Sequence, residues 1–219
     1  MQIIPAILPK SYNELLDKFE RVKVFQNLIQ IDLVDGIMGK EKTWTPKQGE
    51  DLKDFPDHDF QFDLMVEDWR STSSALAAFM RVHSFVFHID SFTDEDIISA
   101  SSWCKEKSIN CGFSITNDTP LEVLITAVHL VRESNRNVFV QVMGIRTIGV
   151  QGQVFDDICL GRICKIKENF GDIFIQVDGA MRPETARKVK TVGADACVVG
   201  SYLFGREEMS LSLEELSLI

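Results

Sequence analysis

Eight short apolar runs recur along this chain, each bounded by polar or amphipathic sequence. They are QIIPAIL (2–8), LIQIDLV (28–34), FQFDLMV (60–66), FVFHID (85–90), CGFSIT (111–116), VFVQVM (138–143), IFIQVD (173–178) and ACVVGS (196–201). Each has the length of a strand, and their β-branched and aromatic content suits a pleated, buried surface. Most are followed by a stretch that reads as a helix. SYNELLDKFERVKVF opens with Ser11 and Glu14 at the spacing of a capping box. TPLEVLITAVHLV offers Thr119 as N-cap, Pro120 at the first helical position and Glu122 at the third. RPETARKVKTV starts near Pro183 and stops at Gly193. PKQGEDLKDF (46–55), after the second run, is the weakest helix candidate, being short and polar. Strand followed by helix, eight times in 219 residues, predicts one (β/α)8 barrel domain over 1–219. The competing α/β architecture, an open doubly wound sheet, usually carries G-x-G-x-x-G after its first strand. This chain reads PAILPKSY there.

Composition narrows the function classes. Hydrophobic residues make up 45% and charged residues 26%, enough to bury a sizeable core without disulfides. The net charge of −10 leaves no basic excess for nucleic acid, though it allows a small basic pocket for one phosphate. No apolar run reaches membrane-helix length, so no membrane partner is expected. MQIIPAILPK lacks the basic and small-residue features of a signal peptide. Cys104, Cys111, Cys159, Cys164 and Cys197 form an odd set without C-x-x-C. Buried thiols in a reduced, cytoplasmic protein are therefore expected. Homo-oligomerisation is left open.

Side chains alternate along a strand, and that alternation sorts the runs into two faces. Ile29, Ile31 and Leu33 oppose Gln30, Asp32 and Val34; Phe62 and Leu64 oppose Gln61, Asp63 and Met65. Phe85, Phe87 and Ile89 oppose Val86, His88 and Asp90, and Ile175 and Val177 oppose Gln176 and Asp178. The apolar face should meet the helices. The other face should point into the barrel, which usually holds Val, Ile and Leu. Gln30, Asp32, Asp63, His88, Asp90, Gln141, Gln176 and Asp178 there are costly unless they serve a ligand, a metal or one another. Asp32, Asp63 and Asp178 lie toward the C-terminal strand ends, where barrel enzymes place their chemistry. The bland alternative is a satisfied polar network around water, and for His88 a structural role is the favoured reading. Asp35 falls on the opposite face and precedes Gly36, as a turn residue would.

PAIL (5–8), QIDLVDG (30–36), DLMV (63–66), TPLE (119–122), GVQGQ (149–153), VDGA (177–180) and GSYLFG (200–205) together resemble the ribulose-phosphate 3-epimerase family, in order and over essentially the whole chain. That family's motifs read P-S-I-L, H-x-D-x-M-D-G, H-L-M-V, T-P-L-E, a loop ending G-G-Q, V-D-G-G and G-S-x-x-F. The resemblance implies a TIM barrel of the ribulose-phosphate-binding type and an isomerase that epimerises a carbohydrate, a ketose phosphate. Its two catalytic aspartates map onto Asp32 and Asp178, one removing a proton beside a carbonyl and the other returning it on the opposite face. The family's metal is held by those aspartates and two histidines, which correspond to Gln30 and Asp63 here. The altered set Gln30, Asp32, Asp63 and Asp178 is all-oxygen. It implies a harder divalent cation, magnesium or manganese rather than zinc, or no metal at all. Without a cation the clustered carboxylates should repel and raise at least one pKa.

The resemblance also implies a phosphate site of backbone N–H groups at Gly149 and Gly152, Gly179 and Ala180, and Gly200 and Ser201, after the last three strands. Ala180 stands where the family has glycine, and Arg146 or Arg182 would add a cation. Ala6 replaces the serine of P-S-I-L, Val34 replaces a methionine, and Met65 and Met143 match methionines that line the family's pocket. Two alternatives remain. One is a catalytically inactive homologue that binds a sugar phosphate. The other is a decarboxylase or aldolase on the same barrel, disfavoured because Asp32-Leu33-Val34-Asp35 lacks the lysine of D-x-K-x-x-D.

Overall fold

The computed structural model describes residues 1–25, 28–39, 41–47, 58–150, 152–206 and 208–219. Eight strands are present: β1 (Gln2–Ile7), β2 (Leu28–Val34), β3 (Asp59–Met65), β4 (Val82–His88), β5 (Asn110–Ile115), β6 (Val138–Met143), β7 (Ile175–Asp178) and β8 (Ala196–Val199). They are all parallel and close into a barrel in sequence order, with β8 pairing back onto β1. The outer helices are α1 (Tyr12–Val22), α2 (Trp69–Phe79), α3 (Asp94–Glu106), α4 (Leu121–Arg132), α5 (Ile158–Phe170), α6 (Pro183–Thr191), α7 (Ser201–Phe204) and α8 (Met209–Ser217). The chain is a single (β/α)8 TIM barrel. No helix lies between β2 and β3 among the described residues, and most of the expected 46–55 helix falls outside them.

Three local expectations change, each for a hydrogen-bonding reason. β4 ends at His88, and Asp90 instead accepts the Thr116 N–H at 2.9 Å and the Thr116 hydroxyl at 2.7 Å. The Thr119 hydroxyl is drawn to the same carboxylate, so Pro120 becomes the N-cap of α4 and makes no side-chain cap bond. At α1, Ser11 accepts the Glu14 N–H as expected, but Glu14 accepts from Lys10 N–H, one residue earlier than a capping box requires.

The apolar strand face meets the helices. Phe60, Phe62, Phe85, Phe87 and Phe113 are fully buried there, with successive ring centroids 5.9–6.5 Å apart. Such tilted aromatic pairs each add about 0.5–1.5 kcal/mol beyond their burial. The other face fills the barrel with polar groups. Strand register sets Gln30 beside Gln61 and Gln61 beside Ser84, and one step higher it sets Asp32 beside Asp63. Across the barrel Gln141 is level with Gln176, and Met143 with Asp178. Cys104, Cys111, Cys159 and Cys197 are buried, Cys164 is exposed, and all five are free thiols. Among the described residues no helix is long and apolar enough to cross a membrane.

Candidate active site

Two strand pairs bring the carboxylates together. Asp32 and Asp63 come from neighbouring strands, and Asp178 ends β7 opposite them. One oxygen from each lies within 4.8 Å of the others. The Gln30 side-chain nitrogen donates to Asp32 Oδ1 and to Asp178 Oδ2, both at 2.8 Å. One amide group thus bridges the two aspartates. Asp63, fully buried, accepts from Gln141 Nε2 at 2.8 Å and meets His88 Nε2 at 2.9 Å. His88 is thus paired through Nε2, while its buried Nδ1 has no hydrogen-bond partner among the described residues.

Burial and mutual repulsion dominate the electrostatics. Asp32 is held well above the ordinary carboxylate range, first by burial and then by the charges of Asp178 and Asp63; the Gln30 bond opposes this. Asp178 is pushed up to about 7, first by burial and then by Asp63, with Gln30 again opposing. Burial works against a charged His88, but Asp63, helped by Asp90 and Asp178, outweighs it and raises the imidazole pKa. Asp35 takes no part. Its carboxylate accepts the N–H groups of Ile37, Met38 and Glu67 and so closes the turn after β2.

A pocket opens above the carboxylates at the C-terminal end of the barrel. Asp32, Asp63 and Asp178 lie among its walls with Ala6, Met65 and Met143. Gly149, Gly152, Gly179, Ala180, Gly200 and Ser201 line it as well. Gln30 lies beneath, reaching the pocket only through the aspartates. Arg146 and Arg182 do not line it. Arg146 pairs with Asp156 at 3.3 Å and Arg182 with Glu184 at 3.4 Å, so the expected cationic contact is corrected to a rim without either arginine. Leu8, Ile145, Val150, Gln153, Met181 and Val198 also line the pocket. Gln153 ends the GVQGQ segment, and its quoted motif was the available signal. The other five are apolar residues whose types point to packing alone.

The chain matches the family model described as "Ribulose-phosphate 3 epimerase family" over residues 2–204. It belongs to that family. The cytoplasmic isoform of ribulose-phosphate 3-epimerase from Oryza sativa subsp. japonica is 25% identical over 210 residues, covering 94% of this chain and 89% of the relative. Ribulose-phosphate 3-epimerase from Bacillus subtilis is 23% identical over 222 residues, covering 99% and 98%. Among solved structures, a 3-hexulose-6-phosphate synthase superposes with a TM-score of 0.72 at 18% identity, covering 100% and 99% of the two chains. KGPDC from Streptococcus mutans in complex with D-R5P gives 0.74 at 12% identity, covering 99% and 97%. These structures share the fold.

Against the ribulose-phosphate 3-epimerase family pattern, two departures now have a geometry. Ala180 keeps a left-handed backbone, φ 55°, where the family has glycine. Its neighbour Gly179, φ 105°, admits no side chain, because a Cβ would lie 2.7 Å from Ile145 Cγ1. The loop shape is retained at the cost of strain at Ala180. The second departure is Gln30. The sequence reading offers its amide oxygen to a cation, but that oxygen faces away and accepts from Gln61 Nε2 at 2.6 Å and Gln176 Nε2 at 3.4 Å. Turning the amide over would press an oxygen against two carboxylates. The three aspartates by themselves remain an oxygen donor set that fits a hard divalent cation.

Proposed function

We propose that this protein epimerises a ketose phosphate at the carbon beside its carbonyl, by two-base proton transfer through an enediolate. The observation that carries this reading is the Asp32–Gln30–Asp178 bridge at the pocket floor, with both carboxylates raised toward neutrality. A general base and a general acid work best when their pKa values lie near the operating pH. Burial and repulsion raise both carboxylates toward the pH at which proton transfer is easy, which suits one aspartate to accept a proton and the other to donate. On this reading the ionised partner takes the proton from one face of the substrate. The protonated partner delivers to the other. Met65 and Met143 bound the reacting carbons and keep water away from the enediolate.

Backbone N–H groups along the glycine rim, from Gly149 to Ser201, would receive the substrate phosphate. The D-R5P complex of a structural neighbour supports a phosphorylated sugar as ligand. Asp32, Asp63 and Asp178 would hold a divalent cation, magnesium or manganese in preference to zinc. When bound, it would polarise the substrate carbonyl and offset the charge of the enediolate. The test is incubation with ribulose 5-phosphate in heavy water, with magnesium, manganese, zinc or a chelator. Deuterium entering at C3 supports the epimerase. No exchange with ribulose 5-phosphate and several other ketose phosphates under every metal condition contradicts it and leaves a sugar-phosphate-binding protein.

A further inference from the structure

A chain of hydrogen bonds with a single direction runs up the inside of the barrel. At its foot, Asn110 Nδ2 donates to His83 Nε2 at 3.2 Å and to the His83 carbonyl at 3.2 Å. An amide nitrogen can only donate, so Nε2 is bare and the proton of the neutral ring sits on Nδ1. That nitrogen faces Ser84 Oγ at 3.1 Å. Burial lowers the pKa of His83 and favours this neutral form. Ser84 then donates to Gln61 Oε1 at 2.8 Å, and Gln61 Nε2 donates to Gln30 Oε1 at 2.6 Å. Gln30 donates its two side-chain N–H groups to Asp32 and Asp178. Ser84, Gln61 and Gln30 are all fully or almost fully buried, which strengthens these bonds.

We propose that Gln61 and Ser84 are positioning residues that lock the Gln30 amide with its NH2 toward Asp32 and Asp178, making Gln30 a fixed bridging donor and withholding its oxygen from any cation. Reversing Gln30 alone would set its NH2 against the NH2 of Gln61. Reversing Gln61 as well would leave the Ser84 hydroxyl proton without its acceptor, so each link below favours the same orientation. The consequence is chemical. A bridging donor holds the two carboxyl groups in one geometry and stabilises the ionised form of either, whereas an outward oxygen would do neither. The effect on turnover rests on the epimerase reading above; the amide orientation does not.

The test uses Gln61→Met, which keeps volume and removes the donor, and Ser84→Ala, which removes the link below it. With Gln61→Met, the Gln30 oxygen keeps only the longer bond from Gln176 at 3.4 Å, and a cation seated between the carboxylates can draw that oxygen to itself. Mn2+ affinity, read by electron paramagnetic resonance, should rise about tenfold, and kcat should fall about tenfold with KM little changed. Ser84→Ala should shift both in the same direction by a few-fold. The two side-chain N–H resonances of Gln30, well separated in the wild type, should move together in both variants. In a Gln30→Met background, adding Gln61→Met should leave Mn2+ affinity unchanged. Unchanged Gln30 resonances together with unchanged Mn2+ affinity in Gln61→Met overturn the relay, as does a full Gln61→Met effect in the Gln30→Met background. Should Gln61→Met not fold, the Gln30 resonances of Ser84→Ala decide, and they also decide if Mn2+ binds neither protein. Resonance and affinity changes in a protein without epimerase activity uphold the relay while refuting the epimerase reading.

Discussion

Asp178 couples the chemistry to stability. Its folded pKa of about 7 stands above the ordinary value of 3.8. Between these values the native state holds a proton that the unfolded chain has released, so stability falls as pH rises from about 4 to 7. Asp178→Asn removes that loss. The variant should be up to roughly 4 kcal/mol more stable than the wild type at pH 8, with the gain vanishing near pH 4, as measured by urea denaturation across pH. The same substitution should abolish epimerisation. Ala180 is a smaller case. Ala180→Gly relieves a left-handed alanine but increases the freedom of the unfolded chain. A net stabilisation of about 0.5 kcal/mol is expected, seen as a rise in Tm of about 1–2 °C.

At the scale of elements, strand alternation made most of the site legible. It separates Asp32 from Asp35 and sends Gln30, Asp63 and Asp178 inward. What it left open was direction within a side chain. An amide has an oxygen and a nitrogen of similar size, and which one faces the carboxylates depends on Gln61, Ser84 and His83 on two other strands. No one-strand pattern contains that. The loop braces were hidden for the same reason: Arg162, on α5, donates to the carbonyls of Thr116, Asn117 and Thr119, all in the connection before α4. Its place in an apolar helix face reads as an exposed charge. Arg162→Ala should cost about 2 kcal/mol by removing the donor to the buried Asn117 carbonyl and the half-buried Thr119 carbonyl, and Tm should fall by about 6 °C.

For the whole molecule, the family motifs and the eightfold strand–helix pattern pointed to the same closed barrel, because a polar interior is tolerable only where side chains satisfy one another around a site. The fold spends its inner layer on that polarity and relies on the helix-facing phenylalanines for its core. The same asymmetry accommodates Gln30 and Asp63 inside the barrel, where both are bonded to neighbours that stand level with them or nearby. The central claim is that Asp32 and Asp178 act on opposite faces of one substrate carbon. The direct measurement is deuterium incorporation at C3 by Asp32→Asn and Asp178→Asn, starting separately from ribulose 5-phosphate and from its C3 epimer. Epimerisation should fall at least about a thousandfold in both variants, while each still exchanges the C3 proton of one epimer and a different one in each case. Epimerisation within about tenfold of the wild type in either variant, or exchange of both epimers by a single variant, would contradict the two-base account.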